Sequence, residues 1–491
     1  MHPKTILKVY LIMSKKLFLG LAIAAINTLS ATAGGLLTNT NQNASFLRQL
    51  SQEAIIDITG AYMNPAGVAF LNNGFHLSLN VQNATQDRDI TTTFPLFAYN
   101  VNNPNATHKF EGEAKAPVIP SFQVAYVHDR WSIASSFGLI GGGGKCEFDN
   151  GLGTFEALYS SQIYSQVTTA LNQVNQMAGQ QYGIPGTLAF GGYSLNAYMK
   201  GRQYFFGLSV GGTYKITDNL SAYVGARGVI ADCNYNGWVE DASARVVAGT
   251  SPIDAQLQPA VQAQIDEKLA KTNISLNTDQ TGFGVAPIIG IDWKINDRWN
   301  VAAKYEFKTR MRLKNKSEMN DYAAALSQTN AVLGQFADGS KVACDMPALF
   351  TIGAQYSPIS SLRLNAGYHF YDDCNATQYG DKQKLVNSGT FEVLAGVEYD
   401  ICKLVTVSAG WQTTNYDLSD EHMNDLSFTT SSNSIGAGVR IHATSRTSID
   451  LGYMQTLYKS RDVATQTAAG VKNDHYYRTN RVLGVGVNIA F

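Results

Sequence analysis

The feature that most constrains this chain is a two-residue alternation of large apolar with small or polar side chains, repeated in short segments from about Asn73 to the C-terminus. A β-strand sends successive side chains to opposite faces, so each such segment carries one apolar row and one polar or small row. Leu362, Leu364, Ala366, Tyr368 and Phe370 alternate with Arg363, Asn365, Gly367, His369 and Tyr371. The last segment sets Leu483, Val485, Val487, Ile489 and Phe491 against Gly484, Gly486, Asn488 and Ala490. In a soluble sandwich the apolar row faces a core, whereas in a membrane barrel it faces lipid and the other row faces the lumen. Two observations favour the barrel. The chain ends on an aromatic residue that closes an alternating strand, and its connections alternate in length. Short turns fall at 128–129, 217–219, 296–297, 358–360, 400–403 and 443–445. Long connections fall at about 146–198, 240–275, 315–343, 372–388, 416–432 and 460–475. Short periplasmic turns with long outer loops, and an even count of about fourteen strands, predict an all-β transmembrane antiparallel barrel in the cell outer membrane.

Hydropathy alone does not decide the matter. The mean of −0.12 suits a soluble protein, but alternating lipid-facing and lumen-facing residues give the same average. Charged residues make up 15 %, below the roughly 25 % of an average soluble protein. A net charge of −1 supplies no bulk basic field, so nucleic acid is not expected as a partner. Ser14-Lys15-Lys16, the apolar run Leu17–Ile26 and Ala31-Thr32-Ala33 form a signal peptide over 1–33, with Met13 a candidate true start. The apolar core of that signal is too short to stay in a bilayer as a helix, which takes roughly 18–20 residues. Two long connections, Phe155–Met177 and Ile253–Leu269, read as helical, either forming a mouth over the barrel or decorating its surface.

Several patterns that resemble catalytic motifs lack the context those motifs need. Gly207-Leu208-Ser209-Val210-Gly211 fits G-x-S-x-G, but the alternation runs straight through it, so Ser209 is a lumen-facing strand residue without a nucleophile elbow. The run ending Gly144-Lys145-Cys146 misses the P-loop pattern at its first glycine and at its hydroxyl. The eight histidines show no metal-ligand spacing. No catalytic residue, metal or cofactor is expected, and the chain is read as a non-enzyme. Of the five cysteines, Cys146, Cys233, Cys344 and Cys374 fall near the outer rim and Cys402 at a periplasmic turn. A hairpin centred on Ile359 sets Cys344 opposite Cys374, close enough for a disulfide; two unpaired thiols are the alternative if a bulge shifts the register.

Asn64-Pro65-Ala66, preceded by Gly34-Gly35 and Ala54-Ile55-Ile56-Asp57 and followed by Gly67, resembles the hatch of the FadL-type outer-membrane transporters of fatty acids and other hydrophobic compounds. Gly282-Phe283-Gly284 leading to Asp297-Arg298-Trp299, and Met346-Pro347 opening a strand that ends at Ser357-Pro358, extend the likeness. The resemblance implies a hatch over 34–72 plugging a barrel over 73–491, and hatch-gated passive diffusion of lipophilic cargo with lateral exit beside a kinked third strand. Gly141, Gly142, Gly143 and Gly144 lie where that kink is expected, and with Asn64, Pro65 and Ala66 they are the gating candidates. The matching stretch of strand five, Asp232-Cys233-Asn234, offers no base for a carboxylate. In strand seven Lys304, Glu306, Lys308, Arg310, Arg312 and Lys314 fall on one face, which is expected to meet the lumen or rise above the membrane. Lys308, Arg310 and Arg312 are the head-group candidates there, toward cargo or lipopolysaccharide phosphates. Partners implied are a hydrophobic small molecule, membrane lipids with lipopolysaccharide, and the barrel-assembly machinery, with the chain a monomer. A FadL-like barrel serving as a secretion adaptor or binding protein is the alternative, and an outer-membrane hydrolase a more distant one.

Overall fold

The computed structural model describes residues 35–328, 331–425 and 427–491, so the signal peptide and its Met13 start lie outside the described residues. Fourteen antiparallel wall strands close on themselves. They are β1 (Gly74–Thr93), β2 (Thr107–His128), β3 (Trp131–Phe148), β4 (Ala189–Lys215), β5 (Leu220–Val247), β6 (Ile274–Lys294), β7 (Trp299–Glu306, resuming as Arg312–Met319) and β8 (Lys341–Ala343, resuming as Leu349–Ile359). The wall continues through β9 (Leu362–Tyr371), β10 (Val386–Cys402), β11 (Val405–Leu418), β12 (Ser432–His442), β13 (Thr447–Tyr458, resuming as Arg461–Thr467) and β14 (Gly470–Ala490). Closure joins β14 to β1, from His76 opposite Ala490 to Thr93 opposite Asn473. The lipid-facing row is apolar as the alternation requires: Leu79 and Val81, Ile133, Leu208 and Val210, Val224 and Ile230, Phe283 and Val285, Leu483 and Val485 are all exposed on the outer face.

The predicted long connections hold the helices α3 (Gly153–Tyr182) and α4 (Asp254–Leu269), the latter with Pro259 inside it. The connection expected at 460–475 is instead a hairpin: Arg461–Thr467 pairs with 470–476 and extends the wall outward. Polar side chains there hid a strand, because above the membrane neither face needs to be apolar. Ser209 is buried on β4 with its hydroxyl 2.6 Å from that of Ser136, an ordinary lumen-facing pair.

The strand register sets aside the disulfide. Across β8–β9 the pairs run Leu349–Tyr371 to Tyr356–Leu364, with a shift before Ile359–Leu362. This moves the hairpin off the centre assumed from sequence, and Cys344 bridges Gln378 rather than Cys374. Cys146, Cys233, Cys344, Cys374 and Cys402 are all free thiols.

Residues 35–72 fill the lumen. Their short helices are α1 (Ala44–Gln49) and α2 (Gly60–Met63), and α1, capped by the Asn43 side chain on the Phe46 amide, is buried along its whole length. Its seat is made of inward-facing glycines paired across strands: Gly396–Gly410–Gly436 on β10–β12 and Gly438–Gly452–Gly484 on β12–β14. A Cβ at Gly396 or Gly410 would strike the Gln49 carbonyl, one at Gly436 the Leu47 carbonyl, and one at Gly452 the Ala44 carbonyl. The absent side chains therefore provide the space in which the helix lies. Buried ion pairs fasten it. Arg48 Nη2 lies 2.6 Å from Glu398 and Nε 2.9 Å from Asp450, which Arg440 also holds at 2.7 Å. Glu53, seated over Gly353 and Gly367, reaches His369 Nε2 at 2.7 Å, while His369 Nδ1 contacts Glu392 at 2.8 Å. Removing one member of a buried ion pair typically costs about 3–5 kcal/mol, because the other charge stays buried without its partner.

Gly410→Val is accordingly expected to leave the barrel able to insert while denying α1 its seat. Planar-bilayer recordings should show long-lived openings that the unaltered protein lacks, and a silent variant that inserts normally would contradict the role given to the glycines.

Candidate functional site

Long interruptions occur in the wall along β6–β7, where 282–287 and 307–313 lack mutual pairing, and between β2 and β3. Their ladder runs from Phe122–Phe137 down to His128–Trp131 and resumes only at Lys115–Lys145, leaving 116–121 and 138–144 without mutual pairing. Both lips explain the failure. On β2 the sequence Ala116-Pro117-Val118-Ile119-Pro120 contains two prolines, which have no N–H to donate. On β3, Gly142 and Gly144 adopt φ of 83° and 76°, the left-handed region open to glycine, and the β3–β4 register slips at the same place. The predicted kink at Gly141, Gly142, Gly143 and Gly144 is where the structure places it, and that stretch is buried on both faces, drawn inward from the lipid.

The N-terminal end of the hatch occupies this break. Residues 37–42, here termed the arm, lie along β3 as an improvised strand, with Thr38 bridging Gly141. The Asn39 amide donates to the Ile140 carbonyl (2.7 Å), its side-chain amide to Gly142 (2.9 Å), and the Gly142 amide to Leu37 (3.3 Å). Gln42 Nε2 donates to Leu139 (3.0 Å), the Ser121 hydroxyl on β2 to the Gln42 carbonyl, and Gln82 Nε2 on β1 to Asn41 (2.8 Å). Backbone groups that a closed ladder would have satisfied are thus satisfied by the arm. Behind it the lumen is apolar: Leu37, Ile140, Phe205 and Met346 belong to one buried cluster that continues upward to Phe155, Tyr159 and Ile163 of α3 and Val261 and Ile265 of α4.

Asn64, Pro65 and Ala66 sit elsewhere on the wall. The motif's hydrogen bonds go to β4–β7. Asn64 Nδ2 donates to Asp292 on β6, which also accepts from Asn300 on β7 (3.0 Å). Thr213 on β4 donates to the Pro65 carbonyl (3.0 Å), and Ser221 on β5 to that of Ala66 (2.8 Å). Asn64 Oδ1 accepts from the Gly67 amide (3.1 Å), so the motif is a rigid turn bolted to the wall. It reaches the arm through Tyr62, whose hydroxyl donates to the Asn39 carbonyl (3.1 Å) and whose ring lies under Arg227 and Lys304.

The head-group row predicted on strand seven is not a single face. Lys304 and Glu306 point inward, but β7 breaks at 307–311 and its parity reverses. Beyond the break Met311 and Leu313 face in while Arg310, Arg312 and Lys314 are exposed outside. Lys308 donates to the Asn375 carbonyl (2.7 Å) and Arg312 pairs with Asp345 (3.1 Å), so Lys308, Arg310 and Arg312 do not converge on the lumen. A different basic group does. Lys382, in the connection between β9 and β10, lines a small cavity of about 30 Å³ together with Leu36 and Leu37 of the hatch, Asp373 and His422. Burial holds its amine down at about 7, and its Nζ donates to the Ser427 hydroxyl (2.6 Å). Burial pushes Asp373 up to about 7, and His422 is held at about 2 by burial and by the facing Lys382 and Arg461. The Nδ1 atom of His422 is buried there without a hydrogen-bond partner among the described residues. Sequence gave no warning of Lys382, a lysine in a polar loop, whereas the two prolines inside a strand were a readable sign of the gap.

Comparison with known proteins agrees with this geometry. The family model described as "Outer membrane protein transport protein (OMPP1/FadL/TodX)" matches residues 24–491. No curated protein sequence matches the chain. Among solved structures, a Pseudomonas aeruginosa FadL homologue superposes with a TM-score of 0.62 at 14 % identity, covering 93 % of this chain and all of that one (100 %). The Ralstonia pickettii toluene transporter TbuX gives 0.50 at 13 % identity, covering 91 % of this chain and 97 % of that one. With its closed fourteen-strand wall, plugged lumen and near full-length match, the chain belongs to the OMPP1/FadL/TodX family of outer-membrane transport proteins.

Proposed function

We propose that this barrel admits small hydrophobic molecules across the outer membrane by passive diffusion, releasing them sideways through the β2–β3 gap when the arm withdraws. The observation that carries this reading is the arm itself, a short strand seated in the β2–β3 wall break against the apolar interior. Its likeness to a FadL homologue and to a toluene transporter supports lipophilic cargo. The energetics favour a moving arm on a fixed hatch. A hydrogen bond contributes a net of roughly 0.5–1.5 kcal/mol, so the arm is held by a few kcal/mol. The α1 region is held by buried charge pairs that cost about as much one at a time. Cargo in the cluster around Leu37, Ile140 and Met346 competes for the same apolar contacts as Leu37 and so favours withdrawal. No proton or bond change is needed, only differential affinity for the two arm positions.

Asn41 on the arm and Gln82 on β1 face each other, Nδ2 to Oε1, at 3.3 Å. Bridging Asn41→Cys to Gln82→Cys with a short bis-methanethiosulfonate should cut uptake of toluene or oleate about tenfold, with recovery on reduction. Full uptake through the bridged protein would show that the arm is no gate.

For an amphiphile with an anionic end, Lys382 is the proposed contact, cationic below about pH 7 and neutral above. Because the folded-state value lies below the ordinary 10.5, burial of this lysine costs nothing above about pH 10.5; the cost grows as pH falls toward 7 and is constant beneath. Oleate should therefore bind more tightly at about pH 6 than at about pH 8.5, toluene equally at both, and Lys382→Met should remove the difference. An unchanged pH profile in that variant would assign the head group elsewhere.

A further inference from the structure

On its outer surface the barrel carries a ladder of charge whose order matches that of one kind of lipid. The rung Arg481–Thr85–Lys115–Lys145–Arg202 runs directly across β14, β1, β2, β3 and β4. All five side chains are on the outer face, and four of them are basic. Neighbouring strands lie about 4.8 Å apart, so the rung is roughly 19 Å long. Below it the outer faces of β1 and β14 become apolar, with Val81 and Leu79 beyond Asn83 on β1 and Leu483 and Val485 on β14. Immediately above it the sign reverses: Asp87, Glu113 and Glu147 oppose one another on β1, β2 and β3, and Asp89 opposes Glu111 one step farther out. Like charges directly opposed weaken a ladder, so these rows are a cost to the isolated barrel. They line a cleft of about 730 Å³ with Tyr477 and Thr479.

We infer that this surface binds a phosphorylated, multiply acylated sugar lipid of the outer leaflet. The acyl chains lie on the apolar band, the phosphates on the basic rung, and the sugar hydroxyls donate to the carboxylates of the cleft. Lys115 and Lys145 now pair with Glu113 and Glu147, each at 2.7 Å, but all four side chains are about a third exposed or more. Exposed pairs of that kind hold weakly, and a phosphate offers the lysines stronger charge-assisted bonds. The Lys115–Lys145 pair is also the first rung above the β2–β3 gap. A lipid seated there covers the upper lip of that gap from outside. The inference rests on the outer-membrane placement of the barrel and not on its cargo.

The test is native mass spectrometry of the detergent-purified barrel with bis-phosphorylated lipid A, its dephosphorylated form, or phosphatidylglycerol. Bis-phosphorylated lipid A should be retained about tenfold better than either alternative. Lys115→Gln, Lys145→Gln and Arg481→Gln together should abolish that preference, and Thr85→Arg, which adds a fifth cation to the rung, should increase it. Equal retention of the dephosphorylated form, equal retention of phosphatidylglycerol, or indifference to the triple variant would each overturn the assignment. None of these outcomes depends on whether the barrel transports anything, so uptake measured on the same variants separates this inference from the transport reading.

Discussion

Hydrocarbon offers no hydrogen-bond partners, so a wall within it has to satisfy every backbone donor and acceptor internally. That constraint organises this molecule. Most of its seams follow from strand pairing, whereas β2–β3 is broken by Pro117 and Pro120 on one lip and by the Gly141–Gly144 kink on the other. An unfilled break would expose polar backbone at membrane depth. The arm closes it with Asn39 and Gln42, using side-chain amides where a regular strand would use its own backbone. A plug that completes the wall is coupled to the wall's integrity, and on the proposed reading its movement opens a path toward the lipid rather than a pore along the axis.

The rest of the hatch has the opposite design. Glycines at facing positions of β10–β14 admit the helix Ala44–Gln49, and Arg48, Glu53 and Asp57 tie it to Glu398, Asp450, His369 and Arg440. The Asn64-Pro65-Ala66 turn is fastened to the opposite wall through Asp292, Thr213 and Ser221. Ahead of these two fixed points, the chain before Asn43 is held by hydrogen bonds and apolar contact without an ion pair of its own among the described residues. A stiff body with a labile end suits gating, because the energy needed to move six residues is far below that needed to eject the whole plug.

Much of this was legible in the sequence, for reasons that also mark where legibility stops. Strand number and closure follow from a period of two, because lipid on one side and lumen on the other penalise any slip by exposing a whole row. The glycine kink was readable because glycine inside a strand has few other uses. The parity of strand seven was not: the break at 307–311 reverses the faces, and above the membrane nothing apolar remained in Arg310, Arg312 and Lys314 to report it. The Cys344–Cys374 pairing failed for a similar reason, since a shift at the Ile359 turn carries through the whole hairpin. Lys382 and His422 share a cavity only because two connections, β9–β10 and β11–β12, meet the hatch there, a tertiary event without a local pattern. Alternation reports which face a residue takes, and it falls silent where both faces are wet.

The central claim, an arm that leaves its gap while the hatch body stays, is tested most directly by amide hydrogen exchange with and without cargo. The Asn39 and Gly142 amides, bonded across the gap to Ile140 and Leu37, report the arm. Those of Leu50 and Asn64, bonded to Phe46 and Gly60, report the hatch body. Cargo at saturation is predicted to speed exchange at Asn39 and Gly142 and leave Leu50 and Asn64 protected. Unchanged protection at Asn39, or loss of protection at all four amides together, would contradict it.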